Sequence, residues 1–300
     1  MTEPTPTEPT PTGPAPTGPA IREPLPAPAA GSTWRGPGRP RRAARAGGPP
    51  LAVLAVVIGV WYAVTYLALA PRRRFLLPPP HEVITDGFGD WRTFHETLRA
   101  LGATAKVALV GLAIAATLGI VFAVLMSQAG WVERSFYPWA VVLQTIPILA
   151  IVPLIGFWLG YGFWSRVVVC VLVAMFPVIT NTLFGLRSTD AGQHDLFTLR
   201  GAGRWARLVH LEFPSALPAL FTGLRISAGL SVIGAIVGDF FFRQGEQGIG
   251  SLIDDYTQRL QSAPLFAAII VSSLFGLVLF WLFGLAARLT VGPWHTSRRP

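Results

Sequence analysis

The chain has 300 residues, of which 52% are hydrophobic and only 13% are charged, and its formal net charge is +9 at pH 7. Soluble domains carry about 25% charged residues, so this composition excludes an ordinary soluble globular protein and predicts a polytopic membrane protein. The single cysteine, Cys170, excludes a disulfide within the chain and a cysteine-rich metal site, and its place among valines predicts a packed apolar residue.

Residues 1–50 consist mainly of Pro, Thr, Gly, Ala and Glu, followed by a cluster of Arg. Such a segment cannot bury enough apolar surface to offset its chain entropy, so we predict a disordered cytoplasmic tail. Basic residues recur in the tails and loops between apolar runs, which makes membrane lipid their expected partner and argues against nucleic acid. Residues 51–92 supply the first transmembrane helix, at 51–70, and an external connection.

Five further apolar runs complete the prediction of an all-α fold with six transmembrane helices. We place these spans near residues 107–126, 136–158, 167–186, 217–240 and 264–287. The third contains Pro138, Pro147 and Pro153, which a buried helix tolerates when its neighbours satisfy the freed carbonyls. Residues 93–288 would then form the membrane core, and residues 289–300 a basic cytoplasmic tail.

A polar stretch separates the fourth and fifth predicted spans. Residues 187–216 hold four Arg, two Asp, one Glu and two His inside an otherwise apolar region. Their spacing is specific: Asp195 lies six residues before Gly201, Pro214 lies thirteen after it, and Leu211 stands three before the proline. The stretch is either an ordinary loop between membrane helices or a docking element for a soluble partner.

Local signals divide this stretch into two short helices. We predict the first over 190–199, a tight turn from Gly201 because glycine reaches positive φ at no steric cost, and the second over 204–211. The second helix would place three apolar side chains on one face, at i, i+3 and i+4, and two basic ones elsewhere: Trp205, Leu208 and Val209, with Arg204 and Arg207.

The distribution of Arg predicts the orientation in the membrane. With the N-terminus in the cytoplasm, the cytoplasmic segments carry 14 Arg and the external ones carry 8. The cluster Arg72–Arg74 opposes this bias, which otherwise predicts that both termini and residues 187–216 are cytoplasmic.

The order of these features resembles the permease subunit of a binding-protein-dependent ABC importer. Between these two spans such permeases carry the pattern Glu-Ala-Ala, three residues, Gly, nine residues, Ile, two residues, Pro. Asp195 takes the Glu position, Gly201 the glycine, Leu211 the isoleucine and Pro214 the proline, while residues 196–197 replace the two alanines. The resemblance therefore rests on spacing, the glycine and the proline.

Other motifs resemble the branch that imports nitrate, taurine, sulfonates and vitamin precursors. They occur in order along the chain as Gln144-Thr145-Ile146-Pro147, Pro153-Leu154, Trp158-Leu159-Gly160, Phe176-Pro177, Asn181-Thr182, Leu217-Pro218, Thr222-Gly223-Leu224-Arg225 and Gly248-Ile249-Gly250. Near the end of the fifth span that branch usually has a Glu, where this chain has Asp239. The aromatic run at 238–246 would suit a ring-bearing solute, since aromatic faces stack on rings.

The resemblance implies a type I ABC-importer permease fold in the plasma membrane. The chain would form the pathway for a small solute delivered by an extracytoplasmic solute-binding protein. It has no G-x-x-x-x-G-K phosphate loop, so it is expected to bind no cofactor and to be no enzyme, with ATP on separate ABC ATPase subunits. A second permease subunit, in a homodimer, is the remaining implied partner. The apolar face at 205–209 would enter a groove on the ATPase, with Arg204 and Arg207 pairing with acids at its rim.

Polar residues inside spans, together with the adjacent Pro147, are candidates for lining the pathway. The polar candidates are Gln144, Thr145, Asn181, Thr182 and Asp239. Asn and Thr can instead hydrogen-bond a neighbouring helix, and Asp239 can be a gate residue or pair with Arg243 one turn away.

The sequence also bears on two other classes of protein. An ion-coupled secondary transporter is disfavoured because neither an internal repeat nor an acid at a span centre is evident in the sequence. A membrane enzyme or sensor is disfavoured because the five His are scattered without metal-ligand spacing.

Overall fold

The computed structural model describes residues 40–291, with side-chain surroundings for residues 48–290. Most of the predicted N-terminal tail, residues 1–39, and the last nine residues of the predicted C-terminal tail lie outside the described residues. The chain divides into two units, Met1–Ala52 and Val53–Pro300. Of the first unit the structure describes only the beginning of one helix.

Every regular element within residues 40–291 is helical. The α-helices are α1 Pro40–Ala63, α2 Pro80–Glu82, α3 Trp91–Gln128, α4 Gly130–Thr145, α5 Ile148–Leu159, α6 Phe163–Arg187, α7 Ala191–Leu199, α8 Arg204–Arg207, α9 Phe213–Phe241, α10 Ile249–Gln258 and α11 Ser262–Val291. Short π-helical or 3₁₀ segments lie between them at Val64–Ala68, Pro71–Leu76, Val83–Phe88 and Leu208–Glu212.

Five stretches of helix in the described chain are long and apolar enough to cross a membrane, and the number is six if one bent pair of helices counts as a span. This result confirms the predicted all-α, polytopic membrane fold, with five or six membrane-spanning segments. Helix α3 is longer than its predicted span, because its 38 residues extend about 57 Å at 1.5 Å per residue. Asp90 caps its start, where the carboxylate accepts a hydrogen bond from the Thr93 N–H at 3.1 Å.

The prediction of one helix near 136–158 is wrong. Helices α4 and α5 meet at an angle of 102°, with the break at Ile146 and Pro147. Proline lacks the N–H that would continue the helical ladder, and it pushes the residue before it out of the helical region. Ile146 accordingly has ψ 125°. The pair has the geometry of a broken span or a re-entrant loop.

The core of the second unit forms where α3, α6 and α9 pack together around Cys170. Gly111 of α3 and Gly234 of α9 approach this cysteine closely: a Cβ added to Gly111 would lie 2.3 Å from the Cys170 Cβ, and one added to Gly234 would lie 2.9 Å from the Cys170 Cα. Small residues permit such contact between membrane helices. Cys170 is fully buried, as its apolar neighbourhood in the sequence predicts.

Candidate functional site

The segment 187–216 begins with the predicted first helix. Helix α7 starts after Asp190, whose carboxylate accepts a hydrogen bond from the Gly192 N–H at 2.9 Å. It ends in a turn at Gly201, which has φ +66° and donates its N–H to the Thr198 carbonyl at 2.9 Å. A β-carbon would be strained in this left-handed conformation, so the glycine fixes the turn. Both the helix and the turn agree with the sequence prediction.

The second predicted helix is not a separate element. Helix α8 passes into the π-helical segment Leu208–Glu212 and then into α9, so one continuous helix runs from Arg204 to Phe241. The Phe213 N–H bonds to the Leu208 carbonyl, five residues back. This wider turn directly precedes Pro214, which has no N–H to donate. The chain therefore remains helical through residues 212–216, which the sequence prediction left between a helix at 204–211 and a span at 217–240.

The predicted apolar docking face is only partly available. Trp205 is 75% exposed and Val209 is 56% exposed, but Leu208 is only 5% exposed and Leu211 is also buried. Leu208 packs in a core cluster with Met126, Leu183 and Leu186. The exposed apolar group on this segment instead includes Leu199 at the end of α7, which is 86% exposed.

The two arginines predicted to pair with acids on a partner bond to this chain. Arg204 Nη2 donates to the Gln128 carbonyl at the end of α3, at 2.7 Å. Arg207 Nε donates to the Ala202 carbonyl in the turn, at 3.2 Å. Both side chains therefore position the segment. Asp195 is exposed on α7, and its carboxylate makes no hydrogen bond or ion pair within residues 48–290.

Two further contacts anchor the segment to the helices beside it. The Arg187 guanidinium forms a bidentate ion pair with Glu133 of α4. Gln128 Nε2 at the end of α3 donates to Glu212 Oε2 at 3.0 Å. Since α3 and α4 contact the segment, and the segment continues directly into α9, a displacement of the segment would act on all three helices directly.

One cavity, of about 290 Å³, opens beside the break between α4 and α5. Its walls are largely apolar, and of the six pathway candidates Gln144 lines it. Pro147 makes the break, and the Thr145 hydroxyl donates to the Val142 carbonyl at 2.9 Å, within its own helix.

Asn181 and Thr182 lie elsewhere, on α6. Asn181 Nδ2 donates to the Pro177 carbonyl at 2.8 Å, four residues back, and a Cβ on Gly223 of α9 would lie 2.9 Å from its Cβ. Thr182 is fully buried, and its hydroxyl has no hydrogen-bond partner in the described part of the chain. The six candidates therefore do not form one site within this chain.

Asp239 belongs to a buried polar network. Its Oδ1 accepts a hydrogen bond from Arg166 Nη1 at 3.1 Å, and its Oδ2 accepts one from the Thr104 hydroxyl at 2.5 Å. Asp239 is 0% exposed and Arg166 is 3% exposed. The proposed pairing of Asp239 with Arg243 is wrong, because Arg243 pairs with Asp254 and Asp255.

Arg166 also holds the chain that follows α9. Its Nη2 donates to the carbonyls of Phe242 and Gln244, at 2.5 and 3.1 Å, and its Nη1 donates to that of Glu246 at 2.9 Å. A Cβ on Gly248 would lie 2.0 Å from Asp239 Oδ2, so only glycine fits there. The sequence interpretation treated Arg166 as an external loop residue and missed this role. The signal available was that a charge next to an apolar span needs a partner.

The same end of the molecule carries an exposed ion pair between Lys106 Nζ and Glu246 Oε2, at 2.8 Å. The hydrogen bond from the Lys106 ammonium, followed by its charge, holds the pKa of the Glu246 carboxyl below its ordinary value. Such a depressed pKa adds stability above the unfolded-state pKa, and this is lost as the pH falls through the folded-state value. Because both side chains are mostly exposed, the contribution is small.

The aromatic run at 238–246 is divided between surface and core, since Phe240 is 42% exposed and Phe241 is 40% exposed. Phe242 is fully buried and packs with Val152, Ile155 and Val169 in the core. Its ring is therefore unavailable to a solute. Among the described residues, no group of three or more His, Cys, Asp or Glu side chains is placed to hold a metal ion.

Apolar spans, with a polar segment anchored between two of them, define the class: a polytopic membrane protein. The family model for the inner membrane component of binding-protein-dependent transport systems matches residues 115–291, and the chain belongs to that family. It is thus a non-catalytic, multi-pass permease subunit of an ATP-driven ABC importer in the plasma membrane.

Similar proteins agree with the predicted branch. The formylaminopyrimidine transport permease ThiX of Halalkalibacterium halodurans is 36% identical over 69% of this chain and 81% of its own length. The riboflavin transport permease RibX of Chloroflexus aurantiacus is 36% identical over 56% of this chain and 61% of its own length. The crystal structure of an amino acid ABC transporter shares the fold, with a TM-score of 0.53 and 17% identity over 69% of this chain and 98% of that one. Family membership favours the importer over the ion-coupled alternative.

Proposed function

We propose that the segment 187–216 docks this permease onto its ABC ATPase subunit and couples ATP hydrolysis to import of the solute. The observation that carries the proposal is the exposure of Leu199 and Trp205 on either side of the turn at Gly201. Large apolar side chains that are this exposed on a polar, well-anchored segment mark an interaction site. Asp195 and Arg200, which are exposed on the same segment, would form its polar rim.

The docking residues differ in their roles under this proposal. Leu199, Trp205 and Val209 are the contact residues, since all three are exposed. A second set of residues, which are buried or which fix the backbone, maintains the conformation of the segment. It consists of Gly201, Arg204, Arg207, Leu208, Leu211 and Pro214. Changes in the first set would weaken binding of the ATPase, whereas changes in the second would also disturb the fold.

Docking to an ATPase requires the segment to face the cytoplasm. The excess of Arg on that side, 14 against 8, supports cytoplasmic termini and a cytoplasmic segment 187–216. The binding protein would then meet the other side, where residues 242–248 lie. We further propose that a second copy of the chain completes the pathway, since the polar candidates of one chain do not enclose a single site. The native mass of the purified complex tests the homodimer, and a single permease chain per complex would contradict it.

Cysteine labelling tests both the orientation and the docking. In a Cys170→Ser background, Leu199→Cys should react with a membrane-impermeant maleimide in inverted vesicles but not in intact cells. Bound ATPase should protect it, because the partner covers the exposed face. Glu246→Cys is the matched control and should react in intact cells. Labelling of Leu199→Cys from outside, or no protection by the ATPase, would overturn this part of the proposal.

For the solute, we propose a nitrogen heterocycle of the vitamin or vitamin-precursor class. The support is that two relatives at 36% identity are named for formylaminopyrimidine and riboflavin transport. Cells that express the chain with its ATPase and binding protein should accumulate one of these two radiolabelled compounds, and taurine should be a poor substrate. Uptake of taurine in preference to both compounds would contradict the assignment without affecting the docking proposal.

A further inference from the structure

A groove of about 460 Å³ lies between α9 and α11, away from the polar network and from the cavity beside Gln144. Two arginines stand in it, Arg225 of α9 and Arg288 of α11. The remaining wall is apolar and comes from α11, namely Leu277, Val278, Trp281, Leu282, Gly284 and Leu285. Two cations in an otherwise apolar groove favour a ligand that combines an anionic group with an apolar chain.

Arg225 lacks an acidic partner. No Asp or Glu of the described chain lies within 4.0 Å of its guanidinium nitrogens, and its buried Nε makes no hydrogen bond to any described residue. The guanidinium instead lies 3.7 Å from the centroid of the Phe280 ring. A cation in a membrane-spanning helix is costly unless an anion or a polar group compensates it, and a cation–π contact supplies only part of that compensation.

The two arginines lie close to the C-terminal end of α11. Arg225 packs beside Gly284, its guanidinium carbon 3.5 Å from the position of an added Cβ. Gly284 is seven residues before the last residue of α11, so it lies about 10 Å from the end of that helix. Arg288 lies one turn nearer to that end. Long arginine side chains reach from such depths to the membrane surface.

The apolar wall of the groove is open to its surroundings. Trp281 is 60% exposed, and Leu277, Val278, Leu282 and Leu285 are exposed to a similar degree. We propose that this groove binds an anionic phospholipid. Arg225 and Arg288 would hold the headgroup phosphate through guanidinium hydrogen bonds, and an acyl chain would lie along the exposed face of α11. The site requires only that the chain is embedded in a bilayer and does not depend on the docking of an ATPase.

Native mass spectrometry of the full-length, delipidated protein in detergent tests this site. The parent should bind phosphatidylglycerol more tightly than phosphatidylcholine. The double variant Arg225→Gln/Arg288→Gln should lose about tenfold in affinity for phosphatidylglycerol, with unchanged weak binding of phosphatidylcholine. Inorganic phosphate should not displace the bound lipid, because it cannot fill the apolar wall. Arg243→Gln is the matched control, since it removes an arginine outside the groove.

The single variant Arg288→Gln guards against a folding defect of the double variant, because Arg288 is exposed near a helix end. It should fold normally and still lose part of the preference for phosphatidylglycerol. Equal binding of phosphatidylglycerol by the parent and both variants would overturn the proposal. A change in the proportion of dimer without any change in lipid binding would also overturn it, and would identify the groove as a contact between copies of the chain.

Discussion

The buried pair Arg166–Asp239 is the most consequential contact at the residue scale. Moving two charges out of water costs several kcal/mol for each ion, and the cost is offset only when the remaining hydrogen-bonding capacity is filled. Asp239 has Thr104 as a second partner, and Arg166 bonds to three carbonyls as well. The pair therefore ties the end of α9 to α6, α3 and the chain after α9. Removing either partner leaves a buried charge.

We predict that Arg166→Met lowers the free energy of unfolding by about 3–5 kcal/mol, because it leaves the Asp239 carboxylate buried without its partner. The double variant Arg166→Met/Asp239→Asn should recover part of that loss. Thermal unfolding in detergent, followed by tryptophan fluorescence, measures both changes.

Arg243→Met is the matched control for this experiment. It also removes an arginine from ion pairs, but its side chain is 48% exposed, so its loss should cost no more than about 1 kcal/mol. If Arg166→Met were no more destabilising than Arg243→Met, the buried network would not stabilise the packing of α9 against α6 as its geometry indicates.

The sequence identified one member of this pair and not the other. Asp239 stood out as an acid at the end of an apolar span. Arg166 fell in the external connection because the fourth span was predicted over 167–186, whereas helix α6 already begins at Phe163. Spacing along the chain carries no information about a pairing across 73 residues. The partner could be found only from the rule that buried charges are paired.

At the scale of elements, the prolines show what a single sequence can and cannot predict. Pro138 and Pro153 lie inside α4 and α5, and Pro177 lies inside α6, whereas Pro147 divides a span. All four stand in apolar runs of similar composition. Whether a proline breaks a helix depends on whether neighbouring groups satisfy the backbone hydrogen bonds that it disrupts. This is a property of the tertiary structure, and a single sequence does not show it.

The segment 187–216 likewise combines features that a single sequence predicts with features that it does not predict. Its first helix and its turn follow from local chemistry, since Asp190 caps the helix and Gly201 adopts positive φ. The burial of Leu208 does not follow from local chemistry, because it depends on contacts with residues that are distant in the sequence. The 3.6-residue period predicted Leu208 on the face of Trp205, but Leu208 packs in a core cluster with Met126 and Leu183 and is only 5% exposed.

At the scale of the whole molecule, one helix joins the two functional regions. The continuous helix from Arg204 to Phe241 has 38 residues and is thus about 57 Å long. It carries Trp205 at one end and Asp239, tied to Arg166, at the other. Movement of a docked segment would therefore reach the far side of the membrane as a rigid-body motion, without a separate relay of side chains.

The affinity of the purified ATPase for the reconstituted permease tests the central claim most directly. Trp205→Ala removes the largest exposed anchor of the segment, and anchors of this kind contribute about 2 kcal/mol. The Kd for the ATPase should therefore rise about thirtyfold. Trp158→Ala is the matched control, since it removes a similarly exposed indole from α5, and it should leave the Kd unchanged. A Trp205→Ala permease that binds the ATPase as tightly as the parent would contradict docking through this segment.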